Sequence, residues 1–431
     1  MPNSFNYRRA VVAALLATTG LSSWAGIPLA PLTLTEALIT ASDRSLQLVA
    51  LDAVAASARE QAVAAAQLPD PVLKLGVDNL PVNGDDRFSL TNDFMTMRRI
   101  GVMQELPRAE KRQIRAERFE RDAQRAQAER QLAIATVQRN TATAWLDRFY
   151  TQVMREMLLR QMEETQLQVQ SAQTAFGSGR GNQADVFAAR LASVMLEDRL
   201  SQIDRQSINA GLMLKRWVGA AAERPVAGPP PWQNTPQEWT LARDHLVQHP
   251  ELLVLAAQVD AAQTDRKLAQ ANTQGDWSVE ASYSQRGSAY SNMLSFGVNI
   301  PLQLDSKNRQ DREVSAKSAL VREAQARFDD VLRSHEADVR SLLNDWHNGK
   351  ERVARFNDQL IPIAQQRTQA ALSSYRAGKG DLASVLAARR EEIEIRLQAL
   401  GVEQDTARLW AQLNYLIPNT GIASTRREQQ P

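Results

Sequence analysis

The sequence predicts a mainly α-helical chain with a transmembrane β-barrel portion, built as two copies of one unit. Three observations predict it: a fifteen-residue stretch that occurs twice, long unbroken helical patterns beside each copy, and a pair of alternating segments in each half. Phe176–Arg190 reads FGSGRGNQADVFAAR and Tyr375–Arg389 reads YRAGKGDLASVLAAR, at a constant offset of 199 with seven of fifteen positions identical. The shared residues are Gly179/Gly378, Gly181/Gly380, Ala184/Ala383, Val186/Val385 and the closing Ala-Ala-Arg. Unrelated segments would share roughly one position in fifteen. Each copy runs Gly-x-Gly, then Asn182 or Asp381, then good helix formers. That order predicts a sharp turn between two helices: glycine ends the first, and Asn or Asp caps the second. Gly-Arg/Lys-Gly has the composition of an anion-binding loop, but a phosphate loop follows a strand, and here a helical pattern precedes it.

The N-terminus predicts export. Arg8 and Arg9 precede an apolar run, Ala10–Leu21, and Ser23-Trp24-Ala25 offers a small-x-small cleavage site, so residues 1–25 read as a secretory signal peptide. The rest holds no segment approaching twenty apolar residues, which leaves a soluble protein beyond the inner membrane or a β-barrel. Basic and acidic residues nearly balance, 51 against 49, so no overall field favours nucleic acid. The chain has no cysteine, which excludes disulfides, thiolate metal sites and an N-terminal lipid anchor on cysteine.

The first unit is expected over residues 32–219. Thr33 and Glu36 have capping-box spacing, opening a helix over 33–68 that Pro69-Asp70-Pro71 stops. Alternation predicts strands over about 72–80 and 88–104, with an Asn83-Gly84 turn between them. A helix over 108–176 contains no Pro or Gly and would be about 100 Å long. Leu146, Phe149, Val153 and Met157 give it a coiled-coil seam. A helix over 182–218 follows the first turn, and the five prolines of 220–238 mark a linker. The second unit, 239–417, repeats the order: helix 239–272, strands about 277–284 and 292–300, helix 303–375, turn, helix 381–416, then a polar tail, 418–431.

Strands of nine or ten residues cross a tilted membrane span, and their alternation gives one apolar and one polar face. Four strands cannot close a barrel whose smallest known form has eight, so a spanning sheet requires eight strands from two chains or twelve from three.

The order helix, strand pair, long helix, turn, helix, given twice about a proline-rich linker, resembles the TolC-type outer-membrane efflux factors. The resemblance covers about Leu32 to Ile417 and is carried by the two tips and by His249-Pro250-Glu251-Leu252. Leu68–Pro71 and Met95–Pro107 are most similar to the heavy-metal efflux branch. The resemblance implies a homotrimer with a twelve-stranded barrel in outer-membrane lipid and an α-helical tunnel in the periplasm. It implies a periplasmic adaptor and an inner-membrane pump of the resistance-nodulation-division type as partners, no bond chemistry and no cofactor.

On that resemblance, adaptor docking falls to Gly179, Arg180, Gly181, Val186, Gly378, Lys379, Gly380, Val385 and Leu386. The gate falls to Asp185, Tyr375, Asp381 and Ser384. Asp185 stands where relatives carry an aspartate tying neighbouring hairpins, with Arg180, Lys379 or Tyr375 as partner. It equally sits in a first helical turn, where a carboxylate suits the dipole. Relatives narrow the closed end with acidic residues at positions that align with Ser384 and Ala387, neither acidic here.

Metal ligands are sparse. His245 and His249 have i, i+4 spacing, but His249 precedes Pro250 at a helix break and no third ligand follows in register. Met95, Met97 and Met103 offer thioethers to Cu(I) or Ag(I), though methionines on a membrane strand are more often packing contacts. Multidrug export and type I secretion share the expected fold. A soluble periplasmic coiled-coil scaffold is the reading from another class. No triad spacing or zinc signature supports an enzyme.

Overall fold

A computed structural model describes residues 30–234 and 248–419. The expected signal segment, the helix start at 239–247 and most of the polar tail lie outside the described residues. In order, the chain forms α1 (Leu34–Asp43), α2 (Leu46–Ala66), β1 (Val72–Asp78), β2 (Met97–Leu106), α3 (Ala109–Gly177) and α4 (Gln183–Val218). It continues with α5 (Pro250–Ala271), β3 (Trp277–Gln285), β4 (Met293–Asn299), α6 (Gln310–Arg355), α7 (Ile361–Arg376) and α8 (Leu382–Asn414).

The four strands make one antiparallel sheet in the order β1-β2-β3-β4. The two hairpins, far apart in sequence, join through β2 and β3, with Ile100 opposite Tyr283 and Val102 opposite Ala281. Register puts Leu73, Val102, Ala281 and Phe296 in one row, and Leu75, Ile100, Tyr283 and Leu294 in the next. Both rows lie on one face, because side chains alternate with a period of two. On the other face Lys74 reaches Glu280 at 2.6 Å and Arg99 reaches Asp78 at 3.2 Å. Gly101 makes room for this: a Cβ there would stand 2.8 Å from that of Ser282.

From the sheet, α3 runs 69 residues, about 100 Å, toward the first tip. The main core lies partway along it, built on Trp145, Trp232, Trp346 and Trp410 with Leu38, Leu146, Leu214 and Leu413. Two hydrogen bonds there repeat the internal symmetry. Trp145 Nε1 donates to Leu32 O and Trp346 Nε1 to Trp232 O, each at 3.1 Å. Each long helix thus pins a backbone carbonyl at or just ahead of the start of its own unit. Smaller clusters continue toward the tips, one around Leu158, Leu196 and Leu397, and one around Val169, Val186 and Val385.

Several boundaries differ from expectation. The helix expected over 33–68 is two, separated at Arg44 and Ser45. Arg44 leaves the helix to lie over Gly219, whose φ of +65° ends α4; a Cβ on that glycine would be 2.8 Å from the guanidinium carbon. The strand expected over 88–104 is β2, 97–106. Asp93 turns the chain just before it, its carboxylate accepting from the N–H of Met95 at 2.8 Å and of Thr96 at 2.9 Å. Such side-chain bonds compete with a strand ladder. The helix expected over 303–375 starts at Gln310 and carries a π-turn, Phe356–Leu360, between α6 and α7. Pro362 follows that turn; it has no N–H to give the preceding turn, and the wider turn accommodates its ring. The proline-rich linker, expected to be irregular, opens with a 3-10 turn, Gly219–Glu223. Val226 then bridges Leu32, and the Leu32 N–H donates to Pro225 O at 2.7 Å.

Candidate functional site

The two tips have the same local geometry. Gly179 has φ +70° and Gly378 φ +71°, the left-handed conformation that ends a helix without a Cβ penalty. Behind them Arg180 N–H donates to Ala175 O at 2.9 Å, and Lys379 N–H donates to Ser374 O at 3.0 Å. The second glycine of each pair is needed for space. A Cβ on Gly181 would lie 3.1 Å from that of Ala175, and one on Gly380 2.9 Å from Ser374 Oγ. The next helix is capped alike, Asn182 Oδ1 accepting from Asp185 N–H at 2.8 Å and Asp381 Oδ1 from Ser384 N–H at 2.7 Å. Donation from the Ser384 hydroxyl and N–H holds the Asp381 carboxyl below its usual range.

The remaining tip residues divide by exposure. Arg180 and Lys379 are exposed, and Arg180 Nε donates back to Ser178 Oγ at 3.2 Å. Val186, Val385 and Leu386 are buried against Val169, Ala172, Ala189 and Leu382, with Tyr375 partly buried beside them. Within one chain these three therefore hold the two hairpins together and are not presented outward. Asp185 is half-buried, and among the described residues no ion pair joins it to Arg180 or Lys379. Ser384 is exposed and serves the Asp381 cap.

Sequence reasoning missed the ion pairs that tie the hairpins above the tips. Arg389 on α8 meets Glu164 on α3 at 2.5 Å, and Arg199 on α4 approaches Glu394 on α8 at 3.7 Å. The partners come from opposite halves of the chain, so no local pattern shows them. At the other end, Lys111 in the first turn of α3 is 3% exposed. It donates to Asp276 Oδ1 at 2.8 Å and Gln274 O at 3.0 Å, fastening helix to sheet just before β3.

The three methionines do not form one cluster. Met95 is in the loop before β2, and Met97 and Met103 are six residues apart on its polar face, about 20 Å along a strand. His249 stands ahead of α5 with its ring against His335 of α6; His245 lies outside the described residues.

Known proteins share this architecture. The family model described as outer membrane efflux protein matches residues 241–417. No curated protein matches the chain. Among solved structures it is similar to CusC, with a TM-score of 0.77 and 13% identity over 96% of this chain and 99% of that one. It is similar to the Campylobacter jejuni CmeC outer membrane channel, TM-score 0.74 and 11% identity over 99% and 97%. The open state of the Neisseria gonorrhoeae MtrE outer membrane channel gives a TM-score of 0.70 and 14% identity over 89% and 88%. The match to that family model thus falls in the second half of the chain, and over its length the chain has the fold of these outer-membrane channels.

Proposed function

We propose that the chain is the outer-membrane channel of a tripartite efflux system, exporting heavy-metal ions through a trimeric barrel and a periplasmic helical tunnel. The observation that carries the reading is the sheet. Its apolar face is bare, with Leu75 71%, Phe296 78% and Leu294 65% exposed, while its other face carries ion pairs. Lipid outside and water inside account for both faces. Among the described residues the edges β1 and β4 are unpaired, and three such sheets joined edge to edge would make twelve strands with none left open. The signal segment supports export.

The tips are the proposed adaptor-docking and gating end, since α3 carries the chain about 100 Å from the sheet. Three chains would place six tips in one ring, and Asp185, without an ion-pair partner among the described residues, would find one on a neighbouring hairpin. With Ser384 and Ala387 uncharged, the constriction would rest on Asp185 and Asp381. The heavy-metal cargo rests on the resemblance of Leu68–Pro71 and Met95–Pro107 to that branch. An inner-membrane pump of the resistance-nodulation-division type and a periplasmic adaptor complete the system.

Outer-membrane fractionation, an unheated denaturing gel and planar-bilayer conductance test the channel; a soluble periplasmic monomer refutes it. Asp185→Ala should raise conductance. A deletion strain should be sensitised to Cu, Ag, Zn, Co or Cd. Sensitisation to drugs alone would overturn the cargo while leaving the channel standing.

A further inference from the structure

His249, Glu251 and His335 converge where α5 begins against α6. Pro250 at the first helical position fixes the backbone there, and the His249 side chain caps nothing. Its ring turns into the core instead, with centroid 4.0 Å from that of His335. His249 is 5% exposed and His335 8%. Among the described residues neither ring nitrogen of His249 has a hydrogen-bond partner, nor does Nε2 of His335; the backbone of Leu416 faces His249 without completing one. Buried polar groups in folded proteins are nearly always paired, so three unpaired nitrogens on facing rings need a partner of another kind. Glu251, two residues into the chain from His249, is exposed and supplies a carboxylate oxygen, and one ligand atom from each residue lies within 4.8 Å of the others.

We infer that His249, Glu251 and His335 bind a divalent transition metal ion, taken from the Zn(II), Co(II), Ni(II) and Cu(II) group. Two imidazoles and one carboxylate are a borderline donor set that suits these ions and, without sulfur, does not select Cu(I) or Ag(I). A tetrahedral ion with bonds of about 2.0–2.1 Å holds its ligand atoms roughly 3.3 Å apart. The set therefore contracts by about 1.5 Å on binding, which rotation of the exposed Glu251 side chain can supply. The exposed carboxylate side is also the way in for the ion, and water completes the coordination there. Burial beside His335 depresses the His249 pKa to about 3, so the imidazole is already in the neutral, ligating form. Asp338 and Glu251 add negative charge around His335, against the single positive charge of Arg139 near His249.

All four histidines of the chain, 245, 249, 335 and 347, lie in the second half, so the first unit cannot hold an equivalent site. The ion would cross-link the start of α5 to the middle of α6 beside buried Leu252, Leu332 and Val339. Its role is to brace the second unit, independent of what passes through the channel.

The test uses the full-length protein in detergent, purified without a histidine tag, stripped with chelator and titrated with ZnCl2 by calorimetry. One Zn(II) per chain is expected, with a raised unfolding temperature reversed by chelator, and a visible Co(II) spectrum on substitution. His335→Ala should weaken binding roughly a hundredfold and Glu251→Gln, at an exposed position, about tenfold, by analogy with the loss when supporting groups are removed. Should His335→Ala fail to fold, Glu251→Gln still decides. No saturable Zn(II) binding at micromolar concentration, or affinity unchanged in Glu251→Gln, overturns the site. Conductance of the same preparation separates that failure from failure of the channel reading.

Discussion

Gly349→Ala sets two opposed effects against each other at the crossing of α6 and α8. In a helix interior alanine is favoured over glycine by about 0.8–1 kcal/mol, so propensity alone predicts stabilisation. Gly349 is buried, however, and a Cβ there would press on Thr406 Oγ1 and stand 3.0 Å from Cγ2 and 3.1 Å from Cβ of that residue. Thr406 is 1% exposed and its hydroxyl donates to Val402 O at 2.7 Å, so it cannot swing aside without losing that bond. Overpacking costs about 1–3 kcal/mol and the hydrogen bond about 0.5–1.5 kcal/mol. The net expectation is a loss of about 1–3 kcal/mol after the helical gain is subtracted. Denaturant unfolding in detergent, followed by tryptophan fluorescence with Trp346 one turn away, measures it. Thr406→Ala removes the obstructing atoms, and in that background Gly349→Ala should turn neutral or stabilising. Stabilisation by Gly349→Ala in the natural background, or an equal loss in both, refutes the close-approach argument. Among the described residues Gly401 on α8 has nothing within 4 Å of its would-be Cβ, so Gly401→Ala should show the helical gain alone.

Lys111→Met keeps the aliphatic stem and deletes the charge facing Asp276, which among the described residues retains Arg115 at 3.8 Å. Breaking a buried pair costs about 3–5 kcal/mol, and the remaining arginine reduces the expected loss to about 2–3 kcal/mol. Adding Asp276→Leu should recover at least half of it; unfolding midpoints of the three variants check this. Gly378→Ala, in open space at φ +71°, should lose about 1–2 kcal/mol from backbone strain alone, read as faster amide exchange at that tip, with Gly179→Ala matching it. Glu403 is raised above its ordinary 4.5 by burial. Its protonated form is the one folding favours, so its contribution is present below pH 4.5 and lost as pH rises through the folded value. Glu403→Gln should therefore stabilise the protein at neutral pH and flatten its stability profile above pH 4.5, as measured by unfolding at several pH values.

Most of the helical order was legible because it is written locally. The tips declare themselves in Gly179/Gly378 and in the caps Asn182 and Asp381, each acting on neighbours a few residues away. The β3 and β4 alternation is likewise visible residue by residue. The start of β2 was not, because Asp93 competes for the backbone through its side chain, and alternation carries no trace of that. The contact that Arg44 makes at the break, over Gly219, was hidden because that glycine lies far off in sequence.

The candidate sites divide in the same way. The repeat placed the tip residues, and only folding showed Val186, Val385 and Leu386 turned inward between hairpins. Spacing offered His245 as the companion of His249, yet the ring that faces it belongs to His335, on a helix after the second strand pair.

By itself the sequence determined the two turns with their caps and the alternating, two-faced strands, since each follows from φ preferences, capping or a period of two along the chain. The tertiary structure alone decided that the hairpins fuse through β2 and β3, that Lys111 fastens α3 to the sheet, and that two histidines meet in the core. Those pairings join residues far apart in sequence, and their energies depend on distances that no local pattern encodes.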